Sequence, residues 1–279
     1  MRLLKPIAIF LFFIAILGIA GAAVAEKRVA LIIGNGKYPR TIGALKNPPN
    51  DARLMAKTLR RLNFEVIETI DGSEKAMKKA IRAFGKRLDV AGKDGVGLFY
   101  YAGHGVQVKG LNYLIPIDAE IETEGDVDLS AINANSVLRM MEFSGSRLSF
   151  VILDACRNNP FARGFRSSSK GLARLEAPKG SLVAYATAPG NVAADGRGTN
   201  SPYTTALVRG LLSGQPVERM FREVRNTVMR TTREKQTPWE SSSLTGGDFY
   251  FSPPKKTLTQ TQTAALTPGP ETKPAAPDV

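Results

Sequence analysis

Short unbroken apolar runs alternate along this chain with stretches whose apolar residues fall at helical spacing. Arg28-Val-Ala-Leu-Ile-Ile-Gly34 is continuous and ends in Gly-Asn-Gly, as a strand buried on both faces does. Asn50 and Asp51 offer N-cap chemistry to Asp51–Leu62, where Leu54, Leu59 and Leu62 recur at helical spacing. Phe64–Ile70 reads as a second strand, closed by Asp71-Gly72. Ser73–Leu88 reads as a helix, with Ala76, Met77, Ala80, Ile81 and Phe84 on one side. Gly97–Ala102 is a third strand running into Gly103-His104-Gly105, and Val106–Ile117 alternates about Lys109-Gly110 like a hairpin. A helix at Asn135–Phe143 precedes strands at Leu148–Leu153 and Ser181–Thr187. Helices follow near Tyr203–Leu212 and Val217–Arg233, and Asp248–Phe251 is expected to close the sheet. Strand and helix alternate with crossover-length connections. The fold class is therefore α/β, a mostly parallel sheet of about six strands with helices on both faces.

Two segments lie outside this pattern. Arg2 and Lys5 precede an uncharged apolar stretch, Pro6 to Ala25, ending in Ala23-Val24-Ala25. Residues 1–25 read as a secretory signal peptide, with an uncleaved N-terminal membrane anchor as the alternative. Residues 252–279, rich in Pro and Thr, cannot bury a core and are expected to be a disordered tail. One domain remains, residues 26–251. The expected location is thus outside the cytoplasm, periplasmic or secreted, or tethered to a membrane through the N-terminal segment. The formal charge of +13 is spread over predicted helices, for example Arg53, Lys57, Arg60 and Arg61. Without a basic strip interleaved with aromatics, or a zinc or helix-turn-helix pattern, nucleic acid is not an expected partner.

The chain has one histidine and one cysteine, and both fall at strand ends. In open parallel sheets, sites lie beyond the carboxyl ends of the strands. His104 sits after the third strand in Tyr100-Tyr-Ala-Gly-His-Gly105, and Cys156 after the fourth in Leu153-Asp-Ala-Cys156. An imidazole beside a thiol can take its proton and later return it to a leaving amine. The backbone N–H groups of Gly105 and Cys156 could converge as an oxyanion hole. Taken singly, His104 reads as a packed turn histidine and Cys156 as a small buried hydrophobe. Together, at two strand ends of an alternating fold, they read as a catalytic pair.

The motifs YYAGHG and DACRNNPF, 52 positions apart from His to Cys, resemble the caspase-like cysteine peptidases, and within them the bacterial metacaspase or orthocaspase group. RVALIIGNGKY with LKNPPNDARLMAKTL, and GTNSPYTTALVRGL, resemble further segments of that family. The resemblance implies a caspase-like sheet, a cysteine endopeptidase, His104 as general base and acid, and Cys156 as nucleophile. It also implies cleavage after Arg or Lys through an acidic pocket containing Asp154 and Asp51. Two carboxylates at the rim would suit a guanidinium or ammonium. Against that, Asp51 also reads as a helix cap and Asp154 as the orienter of a turn. The stretch from Phe161 to Glu176 falls where family members are cut for activation. Arg163, Arg166, Lys170 and Arg174 are candidate self-cleavage positions there, a plain surface loop being the other reading. No cofactor enters the bond-breaking and no metal ligands are assigned. Calcium activation is a family habit, and the acidic run Glu120, Glu122, Glu124, Asp126 and Asp128 matches a calcium loop only loosely. A monomer acting on polypeptides with basic P1 residues is the expectation. The rivals are a non-proteolytic envelope interaction module and a Cys–His acyl-transfer enzyme with a non-peptide substrate.

Overall fold

A computed structural model describes residues 26–156, 161, 171–188, 191, 193, 195–196 and 198–254, with Cys156 by its backbone alone. The expected N-terminal signal segment, the three candidate cut positions Arg163, Arg166 and Lys170, and most of the tail lie outside the described residues.

The chain opens with β1 (Arg28–Gly34), α1 (Pro48–Arg61), β2 (Phe64–Ile70) and α2 (Glu74–Ala91). There follow β3 (Val96–Val108), β4 (Leu111–Leu114), the single turn α3 (Val127–Ser130), β5 (Ile132–Asn133) and α4 (Ala134–Phe143). β6 (Leu148–Cys156), β7 (Ser181–Tyr185), α5 (Pro202–Leu211), α6 (Val217–Thr232) and β8 (Trp239–Ser242) complete it. The main sheet runs β2-β1-β3-β6-β7-β8, parallel throughout except that β8 pairs antiparallel with β7.

Alternation along each strand feeds two cores. Ala30 and Ile32 of β1, Leu98 and Tyr100 of β3, and Phe150 and Ile152 of β6 face α1, α5 and α6. Val29, Leu31 and Ile33, then Phe99 and Tyr101, then Val151 and Leu153 face α2 and α4. The helices split as the α/β reading requires, and this caspase-like architecture is a mixed sheet of mostly parallel strands. A third cluster, including Tyr38, Ile42, Val106, Tyr113, Ile115 and Phe161, packs under the β4 hairpin.

Three expectations are corrected. The closing strand is Trp239–Ser242, not Asp248–Phe251. Phe249 and Phe251 instead turn inward against Phe150, with ring centroids 5.2 and 4.9 Å away. Arg28 fixes them there, donating to the Phe251 carbonyl at 2.7 Å and lying over the Phe249 ring at 5.3 Å. Second, β3 does not stop at Ala102. Its pairing with β6 continues to His104↔Cys156, and from Gly105 onward it pairs with β4 instead. The glycines that read as a turn are held extended by neighbours on either side. Third, α1 begins at Pro48, so Asp51 lies inside its first turn rather than at the cap. Proline at the first helical positions suits that earlier start, since its missing N–H has no helical partner to lose. Gly34 permits it, because a Cβ there would stand 2.4 Å from the Pro48 carbonyl and 2.5 Å from Ala52 Cβ. That close approach sets Asp51 at the carboxyl rim of the sheet.

Candidate active site

His104 and Cys156 are Cα partners, the last pair of the β3–β6 ladder. The His104 peptide is held on both sides. Its N–H donates to Tyr38 Oη at 3.0 Å, and its carbonyl accepts from Tyr101 Oη at 2.7 Å and from Ile115 N at 3.0 Å. Gly103, at φ 152°, leaves space for the two phenols, for a Cβ would lie 2.6 Å from Tyr38 Oη and 2.7 Å from Tyr101 Oη. The Tyr38 ring also lies against the imidazole, centroid to centroid 4.6 Å.

The ring orientation carries chemical information. His104 Nε2 lies 2.7 Å from the Gly43 carbonyl oxygen. A carbonyl only accepts, so Nε2 holds the proton and Nδ1 keeps a lone pair. Nδ1 is buried and has no hydrogen-bond partner among the described residues. Burial lowers the His104 pKa below its usual value, opposed by the Gly43 carbonyl and by Asp195. The ring therefore stays neutral at pH 7, the state of a base. Gly105 follows the pair directly, where β3 passes from β6 to β4. It is packed closely, since a Cβ there would meet Leu172 Cδ2 at 3.1 Å and Ala155 Cβ at 3.3 Å.

The two predicted acids meet beside this pair. Asp154 and Asp51 are 8% and 1% exposed. Asp154 Oδ2 accepts from Ser201 Oγ at 2.5 Å, from Thr204 Oγ1 at 2.8 Å and, at 3.5 Å, from Tyr100 Oη. Asp51 Oδ1 accepts from Asn200 Nδ2 at 2.8 Å and from Ser201 N at 3.0 Å. Among the described residues neither acid has a cationic partner. Burial, then the charge of Asp154, pushes Asp51 up to about 8. Burial pushes Asp154 up to about 6, although the Ser201 and Thr204 hydroxyls pull it down. Asp51 caps nothing, and Asp154 is held by hydroxyls rather than by a turn.

Sequence reading missed a third acid. Asp195 accepts from the backbone N–H groups of Lys46 and Asn47 at 3.1 and 3.3 Å, and its own carbonyl takes Asn47 Nδ2 at 2.5 Å. Its charge raises the pKa of Asp51, Asp154 and His104 alike, so it stands near enough to act on all three. Asn47 Oδ1, buried in the same corner, has no hydrogen-bond partner among the described residues. The missed Ser201 did carry a signal, because Ser-Pro before an apolar-periodic stretch marks a helix start.

The remaining candidates lie elsewhere. The backbone on either side of Arg174 is pinned. Asn112 bonds both Ala173 N–H (2.6 Å) and Ala173 C=O (2.8 Å), and Leu175 N–H donates to Tyr185 Oη at 2.7 Å. In the acidic run, Asp126 Oδ2 accepts from Glu122 N, Thr123 N and Thr123 Oγ1, and Asp128 accepts from Tyr113 Oη. Among the described residues no three acid, His or Cys side chains gather as a metal site.

Comparison with known proteins gives the family. The family model for the caspase domain matches residues 27–250. The human mucosa-associated lymphoid tissue lymphoma translocation protein 1 is 34% identical over 133 residues, 48% of this chain and 15% of that protein. Its mouse homolog is 33% identical over 140 residues, 49% of this chain and 16% of its own length. This chain thus matches only a small part of each relative. It belongs to the caspase-domain family, whose members are in general cysteine-type peptidases.

Proposed function

We propose that this caspase-domain protein is a cysteine endopeptidase that cleaves after arginine or lysine. The observation that supports the specificity is the pair of buried carboxylates, Asp51 and Asp154, gathered round Ser201 with no cationic partner among the described residues. A buried acid pair without a counter-charge is costly, and a ligand that brings the missing charge is the natural compensation. Asp195 adds a third negative charge to the same corner.

His104 Nδ1 takes the proton of the Cys156 thiol, and the thiolate attacks the scissile carbonyl carbon. The oxyanion is held by the backbone N–H groups of Gly105 and Cys156. As the tetrahedral intermediate collapses, the C–N bond breaks and His104 gives its proton to the leaving amine. A water molecule, deprotonated by His104, then attacks the thioester. The carboxylic acid leaves and the thiol regains its proton. The Gly43 carbonyl, by fixing the Nε2–H tautomer, reserves Nδ1 for this work. We extend the proposal to export, polypeptide substrates and a monomeric enzyme.

The test is cleavage of fluorogenic peptides differing only at P1, Arg, Lys or Asp, by residues 26–279 in reductant, with and without calcium, beside Cys156→Ala. Cleavage after Arg or Lys, lost in the mutant, is expected. Cleavage after Asp would keep the peptidase and remove the pocket assignment. Labelling of Cys156 by a thiol probe without peptide cleavage would favour acyl transfer to a non-peptide substrate. Silence in both assays would favour a binding module.

A further inference from the structure

Ser201 does more than begin a helix. As the N-cap of α5 it accepts the Thr204 N–H at 2.9 Å, which is all that a cap requires. Its other two polar groups go to the acids, Oγ–H to Asp154 Oδ2 and N–H to Asp51 Oδ1. One residue therefore spans the gap between two carboxylates supplied by different elements, β6 and α1. Around it the saturation is one-sided. Asp154 Oδ2 takes three hydroxyls, two of which, Tyr100 Oη and Thr204 Oγ1, are themselves 2.6 Å apart. Asp51 Oδ1 takes Ser201 and Asn200. The second oxygen of each acid, Asp154 Oδ1 and Asp51 Oδ2, accepts nothing among the described residues.

Two carboxylate oxygens without a partner among the described residues, on acids bridged by one serine, make a two-point acceptor. A guanidinium presents N–H groups in a rigid planar fork and can meet both, whereas an ammonium is a compact charge that gains less from such registration. We propose that Ser201 is a specificity-determining residue of the P1 pocket, locking Asp51 and Asp154 so that one oxygen of each faces the substrate and arginine is preferred to lysine. This rests on the pocket assignment above and goes beyond it, since an unlocked acid pair would hold either base. Thr204 and Tyr100 support the lock from the Asp154 side.

The experiment compares Ser201→Gly and Ser201→Thr with the wild type on matched P1-Arg and P1-Lys peptides. Glycine keeps the N–H to Asp51 and loses both Oγ bonds, the donation to Asp154 and the cap bond from Thr204 N–H, but as a helix cap it is only a few tenths of a kcal/mol worse than serine. Thermal melting verifies that both variants fold. For Ser201→Gly we expect kcat/KM on the P1-Arg peptide to fall about 10- to 100-fold, the worth of a hydrogen bond to a charged group. The loss should appear mostly in KM, with a much smaller loss for P1-Lys, so the Arg-to-Lys ratio collapses. Ser201→Thr, which keeps a hydroxyl, should retain the ratio. An unchanged ratio and KM in a folded Ser201→Gly enzyme would reduce Ser201 to a helix cap. Wild-type cleavage after Asp, or no cleavage at all, would overturn the pocket assignment itself and the role of Ser201 with it.

Discussion

Replacing Asp154 by asparagine separates the burden that the pocket places on the fold from its service to the reaction. The buried carboxyl ionises near 6 rather than at the ordinary 3.8. Above that range, at 1.36 kcal/mol per pKa step, its charge removes about 3 kcal/mol from stability. The direction follows from proton binding. Below pH 4 both folded and unfolded chains hold the proton, and nothing is lost. Between about 4 and 6 the unfolded chain releases its proton first, so stability falls as pH rises. Above about 6 both are ionised and the penalty is constant. In Asp154→Asn, the three hydroxyl donors that converge on Oδ2 select the amide orientation, with the carbonyl oxygen in that place. The NH2 group then points where the basic side chain would enter. The variant should match the wild type in melting temperature at pH 4 and exceed it at pH 8, by about 5–10 °C for a domain of this size. Its kcat/KM on P1-Arg peptides should fall by about 2–5 kcal/mol, or roughly 30- to several-thousand-fold. P1-citrulline, the same shape without the charge, should be affected far less. Melting curves at the two pH values and kinetics on the two peptides decide it. A variant less stable at both pH values, with its arginine-to-citrulline ratio intact, would refute the reasoning.

Three more outcomes follow from the same geometry. For P1-Arg substrates, kcat/KM should climb with pH across about 6 to 8 as Asp154 and Asp51 ionise, while kcat, which reports the loaded enzyme, should have its acidic limb below 6.5, where burial holds His104; coincident limbs would contradict this. Gly103→Ala should cost about 2 kcal/mol and lower kcat more than 100-fold, because its Cβ displaces the two tyrosine hydroxyls that hold the His104 peptide; melting and steady-state kinetics would measure both. Arg28→Lys should destabilise the fold by about 2 kcal/mol in denaturant titration with kcat unchanged, since lysine cannot serve both the Tyr250 and Phe251 carbonyls while stacking on Phe64 and Phe249.

The legible parts of this chain were those governed by local pattern. Doubly buried strands show as unbroken apolar runs, so β1, β6 and β7 could be read directly, and with them the rim where His104 and Cys156 meet. The acid pair could be named from its motifs, but its role could not be separated from capping. That distinction depends on where α1 begins, and the two prolines that set its start were not weighed. Asp195 lies in a Gly- and Asn-rich stretch with no periodicity, and contacts distant in sequence, with Lys46 and Asn47, bring it to the site. β8 escaped because Trp-Glu-Ser-Ser has no alternating apolar face, and its pairing with β7 comes from position at the sheet edge. The aromatic pattern of Asp248–Phe251 looked more like a strand, yet those rings serve the core.

Glu26 and Pro253 line one cavity of about 930 Å³, beside Arg28 at the amino end of β1, whereas His104 and Cys156 are the last pair at the other end of the β3–β6 ladder. The two ends of the described fold thus lie side by side, and the His104–Cys156 pair lies at the far end of the sheet. Such a unit can be spliced into a loop of another protein, or hung from a support by either end, with the His104–Cys156 edge facing away from the splice.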